Sequence, residues 1–244
     1  EALDHHARLA ADADAGQLMR GTGYWEVFTS GASFTEGISR AEALEQGYGV
    51  RSTILDAEEF ARAEPLSSDG CRGAILWTGP RSCSDPGGLV SAYARLFERN
   101  GGRIVSSDAN DTVQDRSGWR AAGEIVERVV VALGPWSPGF LARFGYRVPM
   151  ILKQGYHRHF AARERPSRPI MLADQSAVLS PMIAGLRLAT AVELPGRPRP
   201  DHRQLRRAEQ AARRLLDLGD PVEEIPWTGT RPCLPGMLPL VREA

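Results

Sequence analysis

The feature that most limits the possible folds is the alternation of apolar and polar residues along three long runs between residues 146 and 194. The runs are YRVPMILKQGYHRHFAA, PIMLADQSAVLSPMIAG and LRLATAVEL. Side chains of a β-strand point alternately to the two faces of a sheet, so each run predicts a strand. Three such strands in succession predict an antiparallel sheet, with one face packed against a core and the other face polar.

Helical signals come before this region. Residues 3–19 are rich in alanine and predict a helix, and a second, short helix is predicted over residues 40–47. In LDAEEFARAEP, Asp56 occupies the N-cap position and Glu59 follows three residues later, which is the spacing of a capping box. Pro65 then ends this third helix.

Two further helices have clear starting points. In SDPGGLVSAYARLFERNGG, Ser84 or Asp85 caps a helix that has Pro86 in its first turn. The proline-rich stretch GRPRPDH predicts a linker, and Asp201 at its end caps the helix of DHRQLRRAEQAARRLLDLG. The arginines of that helix predict a solvated face, and its buried face is predicted to carry Leu205, Ala208, Ala212 and Leu215.

Four other segments predict strands. YWEVFTSGASF alternates like a β-hairpin, and CRGAILWTG is typical of a single strand. RIVSS, residues 103–107, follows the helix that begins near Pro86 and predicts an αβ unit of a parallel sheet. Residues 129–133, VVVAL, are apolar without interruption, which predicts a strand that is buried on both faces.

Charge and cysteine content exclude several classes of function. The 30 basic and 30 acidic residues give a formal net charge of zero, which favours neither nucleic acid nor an anionic membrane surface as a partner. No stretch of about 20 apolar residues predicts a membrane span. The three cysteines, Cys71, Cys83 and Cys233, form no C-x-x-C motif, so we expect buried thiols in a reducing compartment.

Motifs for metal, hydrolase and phosphate chemistry are weak or missing. His157 and His159 lie two residues apart on a predicted strand, so both could reach a metal ion with Asp174 as a third ligand. A polar strand face explains the same pattern, and we predict no metal site. The sequence contains no G-x-S-x-G, no Walker loop and no G-x-G-x-x-G, since GTGYWE lacks the third glycine.

Four segments of the sequence together indicate a protein family more specifically than any one of them does alone. VVVALGPWSPGF, LKQGYHRHF, PMIAGLRLATAVEL and WTGTRPCLPGMLPLV resemble the D-amino-acid dehydrogenase branch of the FAD-dependent D-amino-acid oxidase family. The resemblance runs from about residue 24 to the last residues. Members of that family begin with a βαβ unit that carries G-x-G-x-x-G and end with a glycine-rich segment near the flavin. Neither segment occurs in this sequence, so we interpret the chain as an internal fragment.

The resemblance implies an α+β fold with two domains. The substrate-binding domain would comprise residues 1–79 and 146–226, a largely antiparallel sheet with helices on one face. Part of an FAD-binding α/β domain would comprise residues 80–145 and 227–244. The ADP half of FAD would be held by segments of the same polypeptide that are missing here, so we expect the fragment alone to be inactive.

The resemblance also indicates residues for the substrate. An amino-acid substrate needs a carboxylate clamp, and a guanidinium binds a carboxylate in a bidentate manner. Arg231, held between Trp227 and Pro232 in a stiff loop, is the first candidate. Tyr156 and His157 match the GYH of the resembling proteins, and we expect them to line one cavity, where the tyrosine hydroxyl shares the carboxylate.

Arg187, in GLR, is a second candidate for the clamp. The alternative is an ordinary cross-strand ion pair between Arg187 and Glu193. For the cofactor, the resemblance assigns a turn that packs against FAD, together with two residues near Arg231. These five cofactor-binding candidates are Ala132, Gly134, Trp136, Trp227 and Pro232.

One position departs from the resembling proteins. They usually follow the Arg-Pro turn with a Pro-Asp pair, whereas this chain has Pro235 and Gly236. The loss of that carboxylate changes the hydrogen bonding that is available to the loop around Arg231.

The resemblance implies oxidation of D-amino acids to 2-oxo acids and ammonia, with a small-molecule amino acid as substrate and FAD as cofactor. A glycine or sarcosine oxidase-like enzyme is the close alternative. A carboxylate-binding or scaffold module without flavin is the alternative from another class. We expect a cytoplasmic protein, or one that is peripheral to the inner face of the membrane in its full-length form.

Overall fold

The computed structural model describes residues 2–65, 70–116, 118–194, 202–241 and 243. These residues group into two compact units. Unit 1 comprises residues 1–96, 155–191 and 198–228, and unit 2 comprises residues 97–154, 192–197 and 229–244. Asp201 and most of the GRPRPDH linker lie outside the described residues.

The described residues form six α-helices and thirteen strands. The helices are α1 (Ala2–Asp12), α2 (Gly31–Tyr48), α3 (Ala57–Ala63), α4 (Pro86–Arg99), α5 (Ser137–Ala142) and α6 (Arg203–Leu215). The strands are β1 (Met19–Arg20), β2 (Tyr24–Phe28), β3 (Ser52–Asp56), β4 (Gly73–Trp77), β5 (Ser82–Cys83), β6 (Val113–Asp115), β7 (Gly118–Ala121), β8 (Glu124–Val126), β9 (Ile151–Phe160), β10 (Ile170–Leu172), β11 (Ala177–Met182), β12 (Gly185–Ala189) and β13 (Trp227–Cys233).

A sheet of eight strands dominates the fold. Its order is β13-β9-β12-β11-β10-β2-β4-β3. Strands β9, β12, β11 and β10 pair with one another in an antiparallel manner, as do β2, β4 and β3. Strands β10 and β2 join these two groups by parallel pairing. The prediction of an α+β fold with a largely antiparallel sheet is therefore confirmed.

Helices pack on both faces of this sheet, whereas the sequence predicted helices on one face. On the first face, Trp25, Val27 and Ala74 contact Phe60 of α3 and the apolar side of α6. On the second face, Phe28, Ile75 and Trp77 cluster with residues of α2, including the buried Ala41. Strand alternation explains the arrangement, because β2 and β4 are apolar on both sides and each side needs a cover.

The prediction for residues 24–34 was half wrong. YWEVF forms strand β2, but the residues after it begin the 18-residue helix α2 and make no hairpin. The hydroxyl oxygen of Ser30 accepts a hydrogen bond from the backbone N–H of Ser33, which is an N-cap contact. Helix α2 therefore begins nine residues earlier than predicted, because Ser30 is a helix start and not a turn residue.

The predicted starts of α3 and α4 are confirmed. The capping box forms as predicted, with the Asp56 carboxylate accepting from the Glu59 N–H and the Glu59 carboxylate accepting from the Asp56 N–H. For α4 the cap is Asp85, whose carboxylate accepts a hydrogen bond from the Gly88 N–H. The N-terminal helix is shorter than predicted and ends at Asp12. In α6 the predicted buried face is confirmed, with Leu205, Ala208, Ala212 and Leu215 all buried.

The second of the three predicted long strands is in fact two. Strands β10 and β11 form a hairpin that turns at residues 173–176, where Ser176 adopts a positive φ of 50°. A turn that contains Asp, Gln and Ser is compatible with a tight reversal of the chain. The alternation of apolar and polar residues continues through this turn, so it could not indicate where the strand ends.

Two predicted strands in unit 2 are not formed. Residues 103–107 and 129–133 are without secondary structure, and Ile104, Val105 and Val130 are exposed. An extended segment becomes a strand only when a neighbouring strand bonds to its backbone. Among the residues that the structure describes, no strand pairs with either segment, so the predicted αβ unit of a parallel sheet is wrong here. Between these two segments, strands β6, β7 and β8 form a three-stranded antiparallel sheet.

Candidate functional site

One half of the second sheet face carries a line of polar side chains, which we call the open face. It consists of the side chains of β9, β12, β11 and β10 that point to the same side as His157. In the register of the ladder, Arg187 lies opposite His159 on β9 and opposite Ser180 on β11. Residues that are directly opposite each other share a face and have Cβ atoms about 5 Å apart. The open face therefore brings His157, His159, Ser180 and Arg187 together within unit 1.

A cavity of about 330 Å³ opens beside Arg187. Most of its wall is apolar, and several polar residues also line it. The apolar part includes Met171, Val178 and Met182, and the polar part includes Tyr24, Ser82, Cys83, Ser180 and Arg187. All lining residues belong to unit 1. The cavity lies within the size range of pockets for small organic molecules.

Two charged residues line this cavity, the exposed Arg81 and the partly buried Arg187. The Nε of Arg187 is buried and has no hydrogen-bond partner among the residues that the structure describes. Burial lowers the pKa of Arg187 from its usual value, and the neighbouring Cys83 partly opposes that shift. Arginine nevertheless stays protonated near neutral pH. A guanidinium N–H that is buried without an acceptor is costly. The guanidinium has four further N–H groups, which can bind an anion.

The alternative of an Arg187–Glu193 ion pair has no support in the ladder register. Arg187 faces His159 and Ser180, whereas the backbone of Glu193 pairs with that of Gln154. The sequence-based alternative placed Glu193 opposite Arg187. Strand β12 ends at Ala189, and the chain continues for four residues before Glu193 pairs with Gln154.

His159 is fixed by a carboxylate that the sequence did not indicate. Its Nδ1 lies 2.5 Å from Oε1 of Glu223, and its backbone N–H donates to Oε2 of the same residue at 2.8 Å. The two residues are 64 positions apart, and Glu223 occupies a stretch without any motif. Only the tertiary fold could show this pair.

His157 lies beside this pair. Its ring stacks on the indole of Trp227 at 4.6 Å between centroids and meets the ring of His159 edge-on at 5.5 Å. Burial lowers the pKa of His157 from its usual value, and the charges of Arg187 and His159 lower it further. His157 is therefore neutral at pH 7 and can accept a proton or a hydrogen bond.

Removal of the Glu223 carboxylate should change how stability depends on pH. Burial raises the pKa of Glu223, but the hydrogen bonds and the charge of His159 outweigh burial and lower it. A carboxylate with a lowered pKa stabilises the fold above its unfolded pKa, about 4.3, and this contribution is lost as pH falls through the folded pKa. The Glu223 side chain is 40% exposed, so solvent screening limits the effect to about 0.5–1 kcal/mol.

We therefore expect Glu223→Gln to lower the free energy of urea unfolding at pH 7 and to leave it unchanged near pH 3. Glu224→Gln is the matched control, because Glu224 is exposed and its backbone carbonyl, not its carboxylate, accepts from Arg158. A loss for Glu223→Gln that stays constant from pH 7 to pH 3 would contradict this assignment.

Tyr156 does not share a cavity with His157, which corrects the sequence-level expectation. Neighbouring residues of a strand point to opposite faces. Tyr156 is 2% exposed within the core cluster under α6, and its ring meets that of His202 edge-on at 5.0 Å. It therefore has a place in the core and cannot hold a carboxylate on the open face.

Arg231 lies in unit 2 and belongs to strand β13, not to a loop. Its side chain is exposed, as is that of Pro232. Trp227, at the other end of β13, belongs to unit 1 and stacks on His157. After β13, Pro235 and Gly236 lie in a short 3-10 turn in which Gly236 has a φ of 77°. This is a left-handed conformation that glycine adopts more easily than aspartate.

The candidate cofactor turn is exposed in unit 2. Gly134 has a φ of 56° and begins a 3-10 turn that ends at Trp136. Ala132 is exposed, Trp136 is 75% exposed, and Val130 before them is 90% exposed. The turn therefore presents apolar side chains at the surface of unit 2. The sequence has no glycine-rich loop for the pyrophosphate.

Metal binding and membrane insertion find no structural basis in the described residues. No group of three or more His, Cys, Asp or Glu side chains there is arranged to hold a metal ion. Asp174, the suggested third ligand, instead accepts hydrogen bonds from the N–H and hydroxyl of Thr29. Within the same part of the chain, no helix combines the length and the apolar character that crossing a membrane requires.

Comparison with known proteins places these features in a family context. The sequence profile of the family DAO, described as FAD dependent oxidoreductase, matches residues 1–244. A curated D-amino acid dehydrogenase of Cereibacter sphaeroides is 28% identical over 248 residues, which cover 91% of this chain and 54% of the relative. The chain thus spans about half the length of that relative.

Solved structures share the fold at low sequence identity. Glycine oxidase from Geobacillus kaustophilus has a TM-score of 0.81 and 20% identity, covering 99% of this chain and 67% of that structure. L-amino acid deaminase from Proteus vulgaris has a TM-score of 0.73 and 14% identity, covering 99% of this chain and 71% of that structure. At these identities the comparisons establish the fold alone.

Proposed function

The chain belongs to the DAO family of FAD-dependent oxidoreductases, and on this premise we propose that the whole protein oxidises D-amino acids to 2-oxo acids and ammonia. The observation that carries the proposal is the Arg187 guanidinium, which lines a cavity of the open face with a buried and unpartnered Nε. A guanidinium binds a carboxylate in a bidentate manner, and every amino-acid substrate carries an α-carboxylate.

The residues of the open face have distinct tasks in this proposal. Arg187 holds the substrate carboxylate, and Ser180, opposite it in the ladder, can donate to the second carboxylate oxygen. His157, neutral at pH 7, can accept the proton that the substrate ammonium group loses before oxidation. The apolar wall of the cavity excludes water from the bound substrate. FAD would supply the hydride acceptor for the substrate α-carbon, and water would then hydrolyse the resulting imino acid to the 2-oxo acid and ammonia.

The cofactor would be held in part by unit 2. We assign the turn with Ala132, Gly134 and Trp136 to the flavin nucleotide, because its exposed apolar surface fits a ring system. Trp227 and Pro232 remain proposed cofactor contacts, and Arg231 remains a second proposed carboxylate ligand. The pyrophosphate loop would come from a part of the whole protein outside these 244 residues, consistent with the greater length of the curated relative.

The domain assignment from the sequence remains a proposal. Residues 1–79 and 146–226 would form the substrate-binding domain, and residues 80–145 and 227–244 part of the FAD-binding domain. The open face and its cavity lie within the proposed substrate-binding domain, apart from a few residues of the β5 region. The free cysteines Cys71, Cys83 and Cys233 support a cytoplasmic location.

Substrate saturation separates this proposal from its alternatives. We expect the whole protein, purified with FAD, to release 2-oxo acid and ammonia in equal amounts from D-alanine, with kcat/KM at least tenfold higher than with sarcosine. A higher kcat/KM for sarcosine would support a glycine or sarcosine oxidase-like enzyme. A protein that binds no flavin would support the scaffold alternative and contradict the proposal.

A further inference from the structure

A second cavity of unit 1 lies between helix α6 and the turn that joins β10 to β11. Its volume is about 510 Å³, which is within the size range of sites for small organic molecules. The polar residues of its lining include Ser176, Gln204, Arg207, Gln210 and Arg214, and the apolar ones are three alanines. All of them belong to unit 1, and none lines the cavity beside Arg187.

Two arginines give this second cavity its positive charge. Arg207 and Arg214 are seven residues apart on α6, so their side chains project from the same side of the helix. In the part of the chain that the structure describes, neither of them makes a hydrogen bond or an ion pair. The neighbouring Arg213, by contrast, donates from Nε and Nη2 to the carboxylate of Glu209. The two guanidinium groups of the cavity are therefore free to bind an anion.

Asp174 is the one acid among the described residues that line this cavity. Its Oδ2 accepts hydrogen bonds from the backbone N–H of Thr29 at 2.8 Å and from the hydroxyl of Thr29 at 2.6 Å. Burial raises the pKa of Asp174, but hydrogen bonds from Ser33, Thr29 and Ser30 outweigh burial and lower it. Asp174 is thus charged at pH 7, and two arginines with one carboxylate leave the cavity one excess positive charge.

Gln204 adds an observation of a different kind. Its Oε1 is buried, and no residue that the structure describes donates a hydrogen bond to it. A buried acceptor without a donor is costly, so this oxygen needs a donor from elsewhere. Because Gln204 lines the cavity, a ligand there can supply the donor. A hydroxyl group suits this position better than an ammonium group, which the two arginines would repel.

We propose that this cavity binds a small organic dianion that carries a hydroxyl group, namely a hydroxydicarboxylate or the phosphate monoester of a polyol. Arg207 and Arg214 bind the negative charges, and the ligand hydroxyl donates to Oε1 of Gln204. The three alanines of the lining leave the space that the carbon skeleton of the ligand occupies. The site is separate from the open face, and the inference does not depend on the proposed function.

Isothermal titration calorimetry of the whole, flavin-containing protein tests this inference with matched probes. Malate differs from succinate by one hydroxyl group, and glycerol 3-phosphate differs from propyl phosphate by two. In at least one of these pairs, the hydroxylated member should bind about two- to tenfold more tightly, which is the contribution of one hydrogen bond. The pair that binds more tightly identifies the anionic group. Acetate, a monoanion, should bind about tenfold more weakly than succinate. Equal affinity within both pairs would overturn the inference.

Three variants test the residues of the site. Gln204→Met should remove the advantage of the hydroxylated probe and leave the affinity for its partner unchanged. Arg207→Met and Arg214→Met should each weaken both members of the pair about fivefold or more. The matched controls are Gln46→Met and Arg95→Met, because both positions are exposed on other helices. Affinities that neither arginine variant changes would also overturn the inference.

The variant Arg187→Met separates this site from the carboxylate site of the proposed function. It should leave the affinity for the hydroxylated dianion unchanged, because Arg187 lines the other cavity. Binding that Arg187→Met abolishes and Arg207→Met spares would place the dianion on the open face and contradict the inference. A protein that binds the dianion through Arg207 and does not oxidise D-amino acids would contradict only the proposed function.

Discussion

Replacing Arg187 by methionine in the whole, flavin-containing protein should lower kcat/KM for a D-amino acid by about 100- to 1,000-fold. Methionine keeps the apolar volume of the side chain and removes the charge and all N–H donors. A hydrogen bond to a charged group contributes about 1.5–3 kcal/mol, and a bidentate pair contributes two of them. Steady-state kinetics with D-leucine measures the change.

The conservative variant Arg187→Lys should show an intermediate loss, about tenfold, because lysine keeps the charge and lacks the planar fork. Arg95→Met is the control at an exposed position. Equal kcat/KM for Arg187→Met and the unmodified protein would show that Arg187 does not bind the substrate.

Arg231 provides an internal comparison for this prediction. Arg231→Met should raise KM steeply and lower kcat if this exposed arginine of β13 is the carboxylate clamp, as the sequence suggested. A loss of 100-fold or more for Arg231→Met with none for Arg187→Met would place the clamp in unit 2. The buried, unpartnered Nε of Arg187 leads us to expect the larger effect at Arg187.

Replacing Glu64 by leucine should lower the free energy of unfolding by about 3–5 kcal/mol. Glu64 is 3% exposed. Its Oε2 accepts hydrogen bonds from Nε1 of Trp25 at 3.0 Å and from the hydroxyl of Ser167 at 2.5 Å. Its Oε1 accepts from the Ser167 N–H at 3.0 Å. Leucine would leave these donors without acceptors, at a cost of about 1–3 kcal/mol for each buried donor.

Urea unfolding at pH 7 measures this loss. Glu64→Gln keeps an acceptor oxygen and should be affected less than Glu64→Leu. Glu58→Leu is the matched control, because its carboxylate is 87% exposed in a helix pair with Arg62 and exposed pairs contribute little. A loss below about 1 kcal/mol for Glu64→Leu would contradict the role of Glu64 as the acceptor that joins β2 to the segment before β10.

Features that depend on neighbouring residues could be predicted from the sequence. The capping box of Asp56 and Glu59 and the buried side of α6 both follow from spacing within one helix. The antiparallel sheet of β9 to β12 could be predicted because alternation over many residues outweighs any single exception. Arg187 was identified as a candidate from the family resemblance, and the alternation of β12 places it on the same face as His159 and Ser180.

Features that depend on distant residues could not be predicted. Residues 129–133 have the composition of a buried strand, but a strand also needs partners, and composition does not supply them. Glu223 is 64 residues from His159, so no local pattern could indicate their contact. Tyr156 and His157 were joined by a family motif, although adjacent residues on a strand face opposite sides. For that pair, alternation was the more reliable guide.

Anaerobic reduction of the bound flavin tests the central claim most directly. The whole protein is mixed with D-leucine in the absence of oxygen and any other acceptor, and loss of the visible flavin absorption is followed over time. We predict rapid bleaching of the unmodified protein, and bleaching of Arg187→Met only at D-leucine concentrations at least about 100-fold higher. A flavin that D-leucine leaves oxidised, or one that it reduces equally well in both proteins, would contradict the claim that Arg187 holds the substrate of a D-amino-acid oxidising enzyme.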